Sequence, residues 1–192
     1  MSRLGVLGGT FDPPHVGHRV VAQDVHEALG LDRLLVVPAP RPPHRGAVLP
    51  AEDRLALTRL AFEGDDRIEV SDVDFQRDGP SYTVDTLEQV RREREPVELW
   101  CVIGADQLRE LHEWREPRRI LALARLAVMS RGGDLPRPGE AGADLEFRPV
   151  PVTRVELSST RIRERLEAGL SVRYLVPDAV RGPLERAWRE RG

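Results

Sequence analysis

The chain has 192 residues, of which 40% are hydrophobic and 32% charged, and its formal net charge is −3. This length and composition are typical of one globular domain, so we take residues 1–192 as a single domain. No stretch approaches the roughly 20 apolar residues that cross a membrane, and the weak negative charge gives no reason to expect a nucleic-acid partner. We therefore expect a cytoplasmic location without a membrane partner, and homo-oligomer formation stays open.

The cysteine and lysine content limits which disulfides, metal sites and phosphate-binding side chains the chain can have. Cys101 is the single cysteine, which rules out an intrachain disulfide and argues against a cysteine-based metal site. It lies in an apolar stretch and is expected to pack as a small hydrophobic residue. The chain has no lysine, so a side chain that clamps phosphate must be a guanidinium, which binds two oxygens at once.

Apolar strand patterns alternate with helical patterns, which favours a parallel sheet covered by helices. The predicted strands are Leu4–Leu7, Leu34–Val37, Ile68–Ser71, Leu99–Ile103 and Leu126–Met129. Helices are predicted before Gly30, around Leu57–Ala61, around Val84–Val90, from Pro117, over Ile162–Leu170 and over 178–190. The Gly- and Pro-rich stretch 131–144 predicts an exposed loop, and Glu146–Val155 looks extended.

The first predicted strand runs into a Gly-Gly pair that we interpret as a turn. Because Gly8 and Gly9 have no Cβ, the backbone here can approach a ligand closely. Pro13 and the proline after it disfavour helical backbone, so the loop stays extended. The N–H groups of Gly9, Thr10 and Phe11 are then able to point at an anion.

A helix is predicted to open just after His15. Helix N-termini attract phosphate through unpaired N–H groups and a partial positive charge. His15 and His18 are three residues apart, so we expect them to face the same side of one helical turn. The alternative is an ordinary loop in which two histidines occur without a functional role.

Open α/β sheets bind ligands beyond the carboxyl ends of their strands. Polar segments follow the predicted strands at Gly8–His18, Pro38–Arg45, Gly104–Asp106 and Arg131. The dinucleotide fingerprint GxGxxG is absent, so the sequence does not predict a redox dinucleotide domain.

Several segments resemble, in order, those of the bacterial nicotinate-nucleotide adenylyltransferases, which belong to the HxGH nucleotidyltransferase superfamily. They are GGTFDPPHVGH from Gly8, PPHR from Pro42, PSYTVDTL from Pro80, GADQLRELHEW from Gly104, LSSTRIR from Leu157 and YLVP from Tyr174. The resemblance implies an α/β fold, with a Rossmann-like parallel sheet and helices on both faces. It also implies a small helical C-terminal part, 156–192, that contributes a polyphosphate site.

The resemblance implies that several loops bind ATP. The ATP-binding residues would be Gly8, Gly9, Thr10, Phe11, His44, Arg45, Gly104, Asp106, Ser158, Ser159 and Arg163. Arg45, assisted by His44, would contact phosphates, and Asp106 would hold a ribose hydroxyl. Ser158, Ser159 and Arg163 would hold the β- and γ-phosphates. The ordinary alternatives are a solvated proline-rich connector at 38–45, a helix cap at Asp106, and a cap at Ser158 or Ser159.

For the second substrate, the resemblance implies that Thr83, supported by Tyr82, recognises the nicotinate carboxylate. Trp114 would stack on the nicotinate ring, and Arg115 would supply a backbone N–H to the carboxylate. The alternatives are that Ser81 or Thr83 caps a helix and that Trp114 is a core residue.

The implied reaction joins ATP and nicotinate mononucleotide into deamido-NAD and releases pyrophosphate. His15 and His18 are the catalytic candidates, as non-nucleophilic donors to the α- and β-phosphate oxygens. Mg²⁺ would bind mainly through the ATP phosphates, with no protein metal site. A metal site made of His15, His18 and His44 lacks a carboxylate-rich shell and is not expected.

Two rival functions share part of this pattern. Another superfamily transferase, such as one acting on phosphopantetheine, would have the two histidines without PSYT and the Trp114 pattern. A non-catalytic nucleotide-binding module would be expected to lose one of the polyphosphate contacts, and none is visibly lost.

Overall fold

Six parallel strands form a sheet in the computed structural model, which describes residues 2–43, 46–94, 96–130 and 145–191. The strands are β1 (Ser2–Gly9), β2 (Arg33–Pro38), β3 (Ile68–Val70), β4 (Val97–Gly104), β5 (Arg125–Ser130) and β6 (Arg148–Pro151). They lie in the order β3-β2-β1-β4-β5-β6. The order reverses between β1 and β4, so the strand ends there leave a crevice of the kind that binds ligands in open α/β sheets.

All five predicted strands are confirmed. Four are longer than predicted at both ends, and β3 ends one residue earlier, at Val70. Part of the stretch expected to be extended is a sixth strand, β6, which pairs in parallel with β5 and aligns Val150 with Met129. The predicted exposed loop over 131–144 lies outside the described residues.

Seven α-helices are described in the same ranges. They are α1 (Val16–Leu29), α2 (Ala51–Phe62), α3 (Thr83–Arg94), α4 (Ala105–Glu110), α5 (Pro117–Leu123), α6 (Ser159–Glu167) and α7 (Asp178–Glu190). Gly30 ends α1 in the left-handed region with a φ of 59°, and Pro117 begins α5, as predicted. None of these helices is long and apolar enough to cross a membrane.

The prediction that Leu170 belongs to the helix that begins before Ile162 is wrong. Helix α6 ends at Glu167, and Gly169 takes a φ of 68° that turns the chain away from the helix. The N–H of Leu170 then returns to the carbonyl of Arg165, 2.8 Å away, which closes the helix end. Leu170 is left 52% exposed.

Alternate residues of the four central strands, β1, β2, β4 and β5, serve two separate cores, one on each face of the sheet. In β4, Leu99, Cys101 and Ile103 face the core under α3, α4 and α5, whereas Trp100 and Val102 face the other. Helices α1, α2, α6 and α7 cover that second core. Helices on both faces are thus confirmed, and Cys101 is buried as expected.

The Gly-Gly pair is not a turn, contrary to the prediction. Strand β1 continues through Gly8 and Gly9, which align with Val37 and Pro38 of β2, because the parallel ladder does not stop at the glycines. The chain changes direction at Phe11, whose φ is 48°. A Cβ on Gly9 would lie 2.9 Å from the Phe11 ring, so this ring requires a glycine there. A Cβ on Gly8 would meet no atom within 4 Å and would instead occupy open space at the strand end.

Candidate active site

Two adjoining clefts open at the carboxyl ends of β1 and β4, where the strand order reverses. Their volumes are about 630 and 450 Å³, and we call them the first and the second cleft. The residues that line both clefts are Gly8, Gly9, Thr10, His18, Gly104, Asp106 and Met129. We call this set the shared wall. A group at the shared wall is accessible from both sides, which suits a reaction between two bound molecules.

The predicted site residues lie in the two clefts, and those of the shared wall line both. The first cleft is lined by every predicted catalytic and ATP-binding residue that the structure describes, namely Gly8, Gly9, Thr10, Phe11, His15, His18, Gly104, Asp106, Ser158, Ser159 and Arg163. The four residues predicted to bind the second substrate, Tyr82, Thr83, Trp114 and Arg115, all line the second cleft. His44 and Arg45 lie outside the described residues.

The two histidines meet at the start of α1. Their rings are stacked, with centroids 3.7 Å apart, and the Phe11 ring meets His18 edge-on at 5.0 Å. The expected proximity is confirmed, but His15 precedes the helix: its backbone is extended, with φ −146° and ψ 172°. The N–H of His15 donates to Nδ1 of His18 over 3.1 Å. In the neutral imidazole this bond places the His18 proton on Nε2.

The loop between β1 and α1 is held by the start of α6. The Ser159 hydroxyl donates to the Pro13 carbonyl over 2.8 Å, and Nη1 of Arg163 donates to the Asp12 carbonyl over 2.6 Å. Ser159 and Arg163 therefore fix the first loop in addition to lining the first cleft. The backbone of α1 is tied down as well, because the N–H of Val16 donates to the carbonyl of Leu175.

Helix α6 begins at the first cleft. The Ser158 hydroxyl accepts a hydrogen bond from the N–H of Arg161 over 3.2 Å, so the capping interpretation is confirmed for Ser158. This helix start lies beside the guanidinium of Arg163, and Arg109 of α4 also lines the cleft. The guanidiniums of Arg109 and Arg163 and the N-termini of α1 and α6 give the first cleft the donors and the positive potential that polyphosphate requires.

The alternative of a helix cap at Asp106 is wrong. Gly104 is the N-cap of α4, and its N–H donates to Oε1 of Gln107 over 2.9 Å. Asp106 is the second helical residue, and its side chain lies over Gly104. A Cβ on Gly104 would be only 2.4 Å from Oδ1 of Asp106, so any other residue at 104 would displace the carboxylate from this position.

The second cleft faces the start of α3. The carbonyl of Tyr82 accepts hydrogen bonds from the N–H groups of Asp85 and Thr86, which makes Thr83 the first helical residue. Ser81 has another role than capping: its hydroxyl accepts from the N–H of Arg41 over 3.3 Å, which joins the loop after β2 to α3. The Thr83 side chain lies at a helix N-terminus, where carboxylates bind favourably.

Aromatic and cationic side chains complete the second cleft. Trp114 follows a 3₁₀ turn at Leu111–Glu113 and is only half-buried, because one part of it packs on the core under α3, α4 and α5. The guanidinium of Arg115 lies 4.9 Å from the centre of the Tyr82 ring. It also lies 3.3 Å from a carboxylate oxygen of Asp85. Both the core interpretation and the ligand interpretation of Trp114 are compatible with this position.

Sequence reasoning missed a buried ion pair beneath the second cleft. Asp74 lines that cleft, and its Oδ1 accepts hydrogen bonds from Arg77 and from the Thr86 hydroxyl, both 2.6 Å long. Burial raises the pKa of Asp74, while Thr86 and Arg77 act in the opposite direction. Arg77 also donates to Gln89 and to the carbonyl of Asp85, so it braces the first turns of α3. In the sequence these residues look like an ordinary charged turn.

Two further polar residues were missed, Asp12 and Arg54, and both are buried. Asp12 carries a signal that could have been used, because it lies inside the conspicuous first loop. Arg54 lies in a helix that we interpreted from its apolar residues alone. Within the described ranges, no group of three or more His, Cys, Asp or Glu side chains is arranged to hold a metal ion.

Comparison with known proteins identifies the family. A family model described as cytidylyltransferase-like matches residues 6–165. A probable nicotinate-nucleotide adenylyltransferase from Thermus thermophilus is 46% identical over 96% of this chain and 97% of its own length. One from Gemmatimonas aurantiaca is 44% identical over 93% of this chain and 87% of its own length.

A solved structure has the same fold. The nicotinic acid mononucleotide adenylyltransferase of Plasmodium falciparum, complexed with NaAD, superposes with a TM-score of 0.79 at 12% identity, covering 97% of this chain and 96% of that one. Sequence identity over nearly the whole length decides the family. The chain belongs to the nicotinate-nucleotide adenylyltransferases, within the cytidylyltransferase-like family.

Proposed function

We propose that the protein transfers the adenylyl group of ATP to nicotinate mononucleotide, giving deamido-NAD and pyrophosphate in NAD biosynthesis. The observation that carries this proposal is the pair of clefts that meet at the shared wall. ATP in the first cleft and nicotinate mononucleotide in the second would bring their reacting phosphates together at His18. The names of the Thermus and Gemmatimonas relatives support the same reaction.

In the proposed step, a phosphate oxygen of the mononucleotide attacks the α-phosphorus of ATP in line. The new O–P bond forms as the bond from the α-phosphorus to the bridging oxygen breaks, and pyrophosphate leaves with the electron pair. Such a transfer needs positioning and charge neutralisation more than a protein nucleophile. Nδ1 accepts from His15, so the group of His18 that would donate to a phosphate oxygen is Nε2–H.

ATP would be held along the length of the first cleft. The β1 end, Gly8 to Phe11, would approach the α-phosphate closely, and the Asp106 carboxylate would accept from a ribose hydroxyl. Ser158, Ser159 and Arg163 would bind the β- and γ-phosphates, supported by the helix N-terminus that Ser158 caps. Contacts from His44 and Arg45 stay a prediction from the sequence.

Nicotinate would lie in the second cleft. Thr83 at the start of α3 would donate to the carboxylate, Tyr82 would support it, and Trp114 would stack on the ring. Arg115 would contribute its N–H, and its guanidinium brings positive charge to the same side. Amide substrates lack the negative charge that these groups favour.

Mg²⁺ fits the donor set of the first cleft as a phosphate-bound ion. Among the described residues, the carboxylates that line this cleft are Asp12 and Asp106, and Asp12 already accepts two backbone N–H groups. Asp106 is assigned to the ribose, so the ion would bind mainly through the ATP phosphates and neutralise their charge. A cytoplasmic location and homo-oligomer formation stay predictions.

The deciding experiment measures pyrophosphate release with ATP and Mg²⁺, comparing nicotinate mononucleotide, nicotinamide mononucleotide and phosphopantetheine. Release with the acid alone is expected. Equal release with acid and amide would contradict carboxylate recognition at Thr83. Release with phosphopantetheine alone would mean that phosphopantetheine, and not nicotinate mononucleotide, is the second substrate. No release with any of the three would favour a non-catalytic nucleotide-binding module.

A further inference from the structure

Arg54 of α2 is a buried cation whose hydrogen-bond partners are backbone carbonyls and not a carboxylate side chain. Its side chain is 1% exposed, and its guanidinium donates four hydrogen bonds. They reach the carbonyls of Leu49 at 3.1 Å, Thr10 at 2.8 Å, Ala39 at 2.7 Å and Pro40 at 2.9 Å. Four of its five N–H groups are therefore satisfied by backbone alone.

These carbonyls belong to the two loops that frame the clefts. Thr10 follows β1 and is part of the shared wall, while Ala39 follows β2 and lines the second cleft. Arg54 bonds both with the same nitrogen, Nη1, so one atom bridges the two loops. A third bond joins the strand ends directly, because the N–H of Ala39 donates to the Gly9 carbonyl.

Asp12 makes the complementary connection a short distance away. Its carboxylate accepts from the N–H groups of Val48 and Leu49, 2.6 and 3.0 Å away, just before α2. Arg54 thus ties Ala39 and Pro40 to the first loop, and Asp12 ties Val48 and Leu49 to it. The two residues also interact at longer range, because the charge of Asp12 opposes the lowering of the Arg54 pKa by burial.

A buried guanidinium is costly unless its donors are satisfied, so helix packing alone does not account for an arginine at this position. An apolar side chain would fill the same space without that cost. What arginine adds is a rigid planar fork that reaches several carbonyls at fixed angles, which lysine cannot reproduce.

We infer that Arg54 is a positioning residue for adenylyl transfer, which holds the loops after β1 and β2 at the separation that the two substrates need. It acts through the backbone of Thr10 and Ala39 and touches neither substrate. The inference rests on the proposed function, because it assigns the two loops to ATP and nicotinate mononucleotide.

The test compares Arg54→Lys with a matched control in the same helix. Thr58 is fully buried one turn further along α2, and its hydroxyl donates to the Arg54 carbonyl over 2.6 Å. Thr58→Val disturbs the helix without removing a loop contact. We expect Arg54→Lys to lower kcat by about tenfold or more and to raise KM for both substrates. Thr58→Val should keep wild-type kcat and KM.

Hydrogen exchange separates a local effect from a general one. In Arg54→Lys, backbone exchange should accelerate in peptides that cover the loops after β1 and β2, and stay unchanged in β5 and α7. In the wild-type protein, NMR should show that the Nη protons of Arg54 exchange far more slowly than those of the exposed Arg109. This measurement tests the bridge between the two loops even where the lysine variant does not fold.

Three results would overturn the role of Arg54. They are wild-type kinetics in Arg54→Lys, an acceleration of exchange spread evenly over the chain, and Nη protons of Arg54 that exchange as fast as those of Arg109. Failure of the proposed function looks different. A wild-type protein that releases no pyrophosphate, together with a local rise of exchange in the variant, would overturn the reaction and leave the tie between the loops in place.

Discussion

The rings of His15 and His18 are stacked 3.7 Å apart and inclined by 29°, although only His18 belongs to α1. The backbone of His15 supplies the hydrogen bond that orients the second ring. The pair is therefore a helix-start arrangement in which one residue holds the tautomer of the other, and each ring lines the first cleft. This relationship gives the two histidines unequal roles.

His18→Ala removes the proposed donor at the shared wall. Turnover should fall by about a hundredfold or more, since a single well-placed donor to a developing charge has an effect of this size. Because His18 is half-buried at a helix start, the midpoint of urea unfolding should change little. His112→Ala, at an exposed position, is the control for removal of an imidazole. A near-normal rate in His18→Ala would contradict the catalytic role.

Thr83→Val tests carboxylate recognition with little change of shape. The lost hydrogen bond to a charged group should raise KM for nicotinate mononucleotide about tenfold, with a much smaller change for ATP. Ser158→Ala should give the opposite pattern, because Ser158 lines only the first cleft. Steady-state kinetics with each substrate varied in turn would measure both. An equal loss for both substrates in Thr83→Val would count against the assignment.

Asp74→Asn tests the buried ion pair through the pH dependence of stability. Burial raises the pKa of Asp74 above 3.8, so the native protein binds this proton more tightly than the unfolded chain does. The stability that Asp74 contributes is then complete below 3.8 and is lost as pH rises through its native pKa. The amide of Asp74→Asn does not titrate, so the variant should gain stability relative to wild type as pH rises from 3.8 through the native pKa of Asp74.

Urea unfolding of wild type and Asp74→Asn over a series of pH values would measure this difference. Asp65→Asn offers a contrast, because its bonds to Arg67 lower the pKa of Asp65. The stability from Asp65 is present above 3.8 and is lost as pH falls through the lowered pKa, the opposite direction. A pH-independent difference between wild type and Asp74→Asn would refute the burial argument.

Cys101 should resist thiol reagents in the folded protein. It is 2% exposed, and burial raises the pKa of its thiol to about 12. Because the thiolate is the reactive species, modification by an aromatic disulfide near pH 8 should be slow until the protein unfolds. Titration with and without urea would measure it. Fast labelling with full retention of activity would show that the β4 core opens readily.

The fold could be predicted from the sequence because burial leaves a periodic pattern. Leu99, Cys101 and Ile103 alternate with Trp100 and Val102, and a strand covered on both faces is apolar at every one of these positions. The end of α1 at Gly30 and the start of α5 at Pro117 were predictable because a glycine and a proline mark them. The end of α6 was missed because Leu170 continues the apolar spacing past Gly169, which breaks the helix.

The site could be predicted only where its residues lie in recognisable motifs. All the predicted site residues that the structure describes line a cleft. The first motif gave no sign that β1 extends through Gly8 and Gly9, because that depends on pairing with β2. Arg54 was out of reach for a related reason. Its partners are backbone carbonyls of distant residues, and a carbonyl has no sequence signature.

The shared wall has a consequence for what leaves the enzyme. Gly8, Gly9, His18 and Asp106 face both clefts, so a molecule long enough to enter both excludes either substrate. In the proposed reaction the dinucleotide product has that length, with an adenosine half and a nicotinate half joined at the wall. It inherits the binding contacts of both reactants except those of the departed pyrophosphate. Turnover then requires the product to dissociate from both clefts before a new molecule of ATP and a new molecule of nicotinate mononucleotide can bind.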